Sequence, residues 1–306
     1  MKYLDAAPAY LGGKRKVARE ILEAISRYDI EPGATIADAF AGGCMVGLAA
    51  KLLGYRVIGN DVGPIAIATG KALIENRSRT LSREAVVMAL EHEPITDLPD
   101  EKELAAPEVC RAALAKMAGA CRDATGDDKW LLQAWTARTA LSLSSYGIPR
   151  MKPTRRPGDR PVSVAVRAAK MLNAGVFDNG LDNEMRAGDA VEFLGEVEAD
   201  VAYLDPPYPG TLAYEQVYAG INHLLDPALP TTPSPWSAED GWKLLREAFA
   251  AAENIPLVVI SMGKGADPDE IGEMMTEAGR EPTWRSLDHK HLAVLKREND
   301  PEGDEL

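Results

Sequence analysis

Short runs of β-branched residues recur between stretches of helical periodicity, and this alternation argues for a parallel sheet covered by helices on both faces. Two of the runs, residues 199–205 and 256–262, are almost continuously apolar, as strands buried on both sides must be. Residues 35–40 and 56–61 read as two earlier strands, and a further short one ends near Gly188 and Asp189. The first helix is expected over residues 14–28, where Val17, Ile21, Ala24, Ile25 and Tyr28 share one face. Others are expected over 44–53, 239–253 and 267–278, and residues 283–287 and 291–296 read as a closing antiparallel hairpin.

The rhythm breaks between Gly63 and Arg186, where long helical stretches such as 105–121 and 129–145 dominate. The fold class expected is therefore α/β: a Rossmann-like, mostly parallel sheet with a helical insertion. The sheet domain takes residues 1–62 and 183–297, the insertion 63–182, and an acidic tail 298–306. The end of the insertion is basic: Arg150, Lys152, Arg155, Arg156, Arg160, Arg167 and Lys170 are opposed only by Asp159. Pro153, Pro157, Gly158 and Pro161 keep its first part from being helical.

Of the 306 residues 46% are hydrophobic, which excludes global disorder. No apolar run approaches the roughly 18 residues of a membrane span, and Asp5 interrupts the N-terminus before a signal-peptide core could form. Cys44, Cys110 and Cys121 are scattered without a Cys-x-x-Cys pair, and the four histidines do not cluster with them. Neither a disulfide framework nor a metal site is expected, and the chain reads as cytoplasmic.

The most informative tetrapeptide is Asp205-Pro206-Pro207-Tyr208, directly after a buried strand, where open α/β sheets bind their ligands. Two prolines stiffen the backbone and remove two N–H donors, leaving carbonyls to accept from a substrate. Asp205 adds a carboxylate acceptor and Tyr208 a flat ring on which a base can stack. Together they suit a planar heterocycle bearing an exocyclic amine. Such an amine is a poor nucleophile, because its lone pair is delocalised into the ring. Accepting both of its N–H bonds, at the Asp205 carboxylate and the Pro206 carbonyl, favours a pyramidal nitrogen able to attack a sulfonium methyl.

A second cluster, Asp38-Ala39-Phe40-Ala41-Gly42-Gly43-Cys44, ends the first strand in a glycine-rich turn that lets a ligand approach the backbone. It lacks the dinucleotide G-x-G-x-x-G spacing and the phosphate-gripping lysine. Asp61 ends the second strand, placed to bind ribose hydroxyls; an acid there is as readily a helix N-cap.

With these clusters in order, the sequence resembles the DNA adenine methylases, which use S-adenosylmethionine to methylate the N6 amine of adenine. The resemblance rests on Tyr10-Leu11-Gly12-Gly13-Lys14, the Asp38–Gly43 turn, Asn60-Asp61, Gly188-Asp189-Ala190 and Asp205–Tyr208, and extends over about residues 8–62 and 183–297. It implies that Tyr10, Gly12, Gly13 and Lys14 meet the cofactor, with Lys14 on its methionine carboxylate. Asp38, Phe40 and Gly42 would line the methionine and ribose region, with Asp61 on the ribose and Asp189 and Ala190 beside the adenine. Asp205, Pro206, Pro207 and Tyr208 would hold the target base, and Tyr214 and Tyr218 look like the loop that follows. Cys44 departs from the family, standing where another small residue is usual. The insertion occupies the place of the target-recognition region, which in a restriction-modification enzyme reads a specific site.

RNA adenine methylation is the competing reading, and a non-catalytic cofactor- or DNA-binding module the contrasting class, which gives the tetrapeptide nothing to do. Cytosine-C5 methylation needs a cysteine nucleophile, usually after proline, and Cys44, Cys110 and Cys121 follow Gly43, Val109 and Ala120. The net charge of −13 opposes binding to phosphate. The basic stretch, Arg155, Arg156 and Arg160 foremost, is the expected DNA contact, against the alternative that its arginines pair with the acidic half of the insertion. Trp130 and Trp135 are expected in the insertion core, and His223 is read as structural, with no partner evident. Oligomeric state is not legible in the sequence.

Overall fold

The structure, a computed structural model, describes residues 2–146, 160–207, 213–228, 233–238, 241–262, 267–287 and 290–297. The chain divides into two compact units: 1–11, 63–178 and 214–233 form one, and 12–62, 179–213 and 234–306 the other.

The second unit is built on seven strands: β1 Thr35–Asp38, β2 Arg56–Asp61, β3 Glu184–Ala187, β4 Val201–Leu204, β5 Leu257–Met262, β6 Arg280–Leu287 and β7 Lys290–Arg297. They lie in the order β3-β2-β1-β4-β5-β7-β6. Pairing is parallel from β3 to β5, while β7 is antiparallel to both β5 and β6. This is an α/β sheet of Rossmann-like type. Every residue of β4 and β5 is buried, which is why both read as almost continuous apolar runs.

One sheet face carries Ala202, Leu204, Val258, Ile260 and Met262 into a core with Phe193, Leu245, Phe249, Ile271, Met274 and Met275. The helices Ala190–Glu196, Leu245–Ala251 and Pro268–Glu277 supply the second half of that core. Because strand side chains alternate, the intervening residues Tyr203 and Ser261 point to the opposite face. The chain leaves β1 on one side towards β2 and returns on the other as β4, so a topological switch point lies between the carboxyl ends of β1 and β4.

The first unit is helical. Its longest helices, Glu108–Asp123 and Gly126–Leu143, pack on each other and on Pro161–Asn173. Trp135 is fully buried among them and its indole N–H donates to the Ala165 carbonyl at 2.7 Å, so it is a core residue. The segments 1–11 and 214–233 join this unit, beyond the insertion read from sequence. Arg138 anchors the former by donating to the carbonyls of Ala6 at 2.5 Å and Asp5 at 2.7 Å, and Gln133 holds the latter through the Leu225 carbonyl at 3.2 Å.

Candidate active site

Five parallel strands end on one edge of the sheet, and the acids singled out by sequence line that edge. The turn after β1 is fixed from both sides: the Ala39 N–H donates to the Tyr203 carbonyl of β4 at 3.0 Å and the Ala41 N–H to the Asn60 carbonyl of β2 at 2.9 Å. Gly42 adopts φ 48°, in the left-handed region where glycine is favoured, and its N–H donates to Asp61 Oδ2 at 2.8 Å. Asp61 is thus no helix cap; Gly63 precedes the next helix, Pro64–Gly70. The carboxylate of β2 instead holds the glycine turn of β1.

Cys44 shares the left-handed region at φ 56° and begins the helix Met45–Leu52. Burial, then the nearby charges of Asp38 and Asp61, push its thiol well above the ordinary value, which makes it inert.

Asp38 is buried, and its Oδ1 has no hydrogen-bond partner among the described residues. Burial raises its carboxyl from 3.8 to about 7, helped by the charges of Asp205 and Asp61 and opposed by the Phe40 backbone N–H and Lys14. Phe40 itself is braced edge-on by the Trp236 ring, 4.8 Å between centroids.

Asp205 follows β4. Lys14, buried, forms an ion pair with its Oδ2 and donates also to the Gly12 carbonyl at 3.1 Å. Gly12 turns the chain at φ 73° so that Lys14 can reach inward. The cation that the resemblance assigns to the cofactor carboxylate therefore engages Asp205. Ser261 Oγ donates to Asp205 Oδ1 at 2.9 Å, and the Tyr203 hydroxyl lies 2.9 Å from Ser261 Oγ. Pro206 is buried and Pro207 half-buried beside it.

Asp189 Oδ1 accepts from the N–H of Val191 at 2.7 Å and of Glu192 at 3.4 Å, so this acid caps the helix Ala190–Glu196, with Ala190 buried at its start. Gly13 lies in the loop between Gly12 and Lys14.

The helical unit gathers the tyrosines. Tyr10 and Tyr214 stack with centroids 5.9 Å apart and 7° between planes, and Tyr10 lies 4.8 Å from Tyr218. Tyr218 is buried and its hydroxyl accepts the Leu11 N–H at 2.7 Å, so it supports the other two. Arg160 is exposed just before the helix Pro161–Asn173, whose outer face carries Arg167 and Lys170. None of these three forms an ion pair with an acid among the described residues. Tyr208, Arg155 and Arg156 lie outside the described residues.

Sequence reasoning passed over Ser261 and Tyr203. The signal available was a lone hydroxyl in each of two otherwise apolar buried strands. It also left His223 without a partner, whereas His223 Nε2 lies 2.6 Å from the Asp97 carbonyl and 3.1 Å from its carboxylate. Among the described residues no three His, Cys, Asp or Glu side chains gather where they could hold a metal ion, and no helix is long and apolar enough to cross a membrane.

Residues 10–104, which include the Lys14 turn, the Asp38–Gly43 turn and Asp61, match the family of D12 class N6 adenine-specific DNA methyltransferases. A curated relative, the Type II methyltransferase M2.HphI of Haemophilus parahaemolyticus, is 28% identical over 246 residues, 71% of this chain and 69% of its own. Over these residues the chain is similar to the DNA adenine methylases.

Two solved structures resemble this chain remotely. Magnesium protoporphyrin IX methyltransferase from Synechocystis, with bound S-adenosylmethionine, gives a TM-score of 0.38 at 8% identity over 93% of this chain and 79% of its own. A TehB-like methyltransferase from Corynebacterium glutamicum gives 0.36 at 12% over 92% and 87%. The methyl donor is S-adenosylmethionine, and the residues present fit it. The buried, unpartnered Asp38 Oδ1 offers an acceptor of the kind an ammonium requires.

Proposed function

We propose that Asp205 and the Pro206 carbonyl form the acceptor pair that holds the adenine amine, and that the edge from Asp38 to Asp61 holds the cofactor. The observation that carries this reading is the position of Asp205: after β4, beside the glycine turn of β1, its carboxylate fixed by Lys14 and Ser261. Bound S-adenosylmethionine supplies an electrophilic methyl on a sulfonium. Asp38 takes the cofactor's ammonium, Asp61 and the Gly42 turn its ribose, and Asp189 and Ala190 flank its adenine. A carboxylate and a carbonyl, each accepting one N–H, pull the target nitrogen out of conjugation with its ring. Tyr208 stacks on the base.

In duplex DNA that amine is paired and unreachable, so the adenine is flipped out of the helix before transfer. We assign the phosphate contacts to Arg155, Arg156 and Arg160, supported by the exposed basic face from Arg160 to Lys170. The helical unit is assigned target recognition. By its likeness to a Type II enzyme the chain acts on a specific site, within restriction-modification. Three buried unlinked cysteines and a DNA substrate support the cytoplasm as its location.

Asp205→Ala and Asp205→Asn test the assignment. Each lowers kcat for methyl transfer to duplex DNA by at least about 10²-fold while circular dichroism stays unchanged. Turnover within tenfold of the unmodified chain would remove Asp205 from the chemistry.

A further inference from the structure

Ser261 has no packing reason to be where it is. It lies in β5, Leu257–Met262, whose other five residues are all apolar, and it is fully buried. Strand alternation places Val258, Ile260 and Met262 in the core on one sheet face and Ser261 on the other. There the neighbouring strand β4 contributes Tyr203, also buried, and Asp205 follows two positions later. The parallel register pairs Tyr203 with Val259 and Leu204 with Ile260, so Ser261 comes level with Asp205. A valine or alanine would fill this position without leaving a polar group to be satisfied.

The Ser261 hydroxyl donates to Asp205 Oδ1 at 2.9 Å, and the Tyr203 hydroxyl stands 2.9 Å from Ser261 Oγ. Lys14 holds Oδ2, the other oxygen of the same carboxylate. A carboxylate on a single carbon can turn about its Cβ–Cγ bond; two donors on different oxygens, from elements far apart in sequence, stop that turning. The directions in which the carboxylate can accept a substrate N–H are then fixed. That matters here because the acceptor must meet an N–H of a nitrogen whose other N–H is fixed by a backbone carbonyl.

We propose that Ser261, backed by Tyr203, is a positioning residue that fixes the rotation of the Asp205 carboxylate for the adenine amine. This rests on Asp205 being an acceptor for that amine. Ser261 touches neither substrate nor cofactor; it acts through Asp205. The Tyr203 hydroxyl limits the rotamers of the serine hydroxyl and thereby selects Asp205 as its acceptor.

The test is a set of variants assayed for methyl transfer to unmethylated duplex DNA, with cofactor binding measured separately by calorimetry. Ser261→Ala lowers kcat about tenfold to a hundredfold, the scale of a small misplacement of a reacting group, while KM for DNA and Kd for S-adenosylmethionine stay within about twofold. Ser261→Thr, which keeps the hydroxyl, recovers most of kcat, and Tyr203→Phe gives a smaller loss than Ser261→Ala. In an Asp205→Asn background Ser261→Ala adds no further loss, as residues acting through one group require. An unchanged kcat in Ser261→Ala, a loss that appears in KM or Kd alone, or a Thr variant as impaired as Ala overturns the proposal. Failure of the parent reading looks different: the unmodified chain makes no N6-methyladenine, or Asp205→Ala retains turnover.

Discussion

At the scale of single residues, the site is a set of acids held close around one lysine. Asp38 takes the consequence: its carboxyl stays protonated to about pH 7 in the folded chain and, once unfolded, loses its proton near 3.8. Folding stability from this group is complete below pH 4 and drains away as pH rises towards 7, on the order of 4 kcal/mol in all. Asp38→Asn flattens that dependence and melts higher than the unmodified chain at pH 8, measurable by thermal unfolding across pH. The same substitution weakens S-adenosylmethionine, because only the ionised acid complements an ammonium. In the unmodified chain cofactor affinity climbs with pH up to about 7 and levels off; a flat profile would remove Asp38 from cofactor binding. Lys14 carries the opposite charge. Lys14→Met leaves Asp205 and Asp38 without their buried cation, and is expected to cost about 3 kcal/mol of unfolding free energy in a denaturant titration.

At the scale of elements, legibility followed burial. The strands Val201–Leu204 and Leu257–Met262 were readable because every residue of both is buried, so apolar character dominates them. The first helix is shorter than its periodicity suggests, Ala18–Ile25 continued by one 3₁₀ turn to Tyr28, because the Lys14 carbonyl closes a tight turn on the N–H groups of Val17 and Ala18. The stretch expected to be helical over 239–253 is an α-helix only at Leu245–Ala251, flanked by 3₁₀ turns at Gly241–Leu244 and Ala252–Asn254. The closing hairpin runs longer than read, Arg280–Leu287 against Lys290–Arg297, since pairing tolerates the charges that interrupt its pattern. Of the site, the carboxylates were legible because each ends a strand. Ser261 and the Asp97–His223 contact were not: a lone hydroxyl and a pair 126 residues apart leave no local pattern. The three cysteines are buried, Cys44 at the start of Met45–Leu52 and Cys110 and Cys121 within Glu108–Asp123, so none reacts with a thiol reagent in the native chain and all three react on unfolding. Rapid native labelling of any one would contradict the packing described.

At the scale of the whole molecule, an acidic chain must bind a polyanion, and local field has to outweigh net charge. The basic stretch is assigned that field. Replacing Arg155, Arg156 and Arg160 by Ala lowers the slope of log affinity for duplex DNA against log salt by about 0.9 for each phosphate no longer neutralised; an unchanged slope places the phosphate-binding surface elsewhere. The whole reading stands on the corner at Asp205 making an aromatic amine reactive towards a sulfonium methyl. The decisive experiment is transfer of isotopically labelled methyl from S-adenosylmethionine to duplex DNA and to RNA in parallel, with the modified nucleosides separated and weighed by mass spectrometry. Label is expected in N6-methyladenine from DNA; label in N4-methylcytosine, in RNA alone, or in neither nucleic acid would refute that role for the corner.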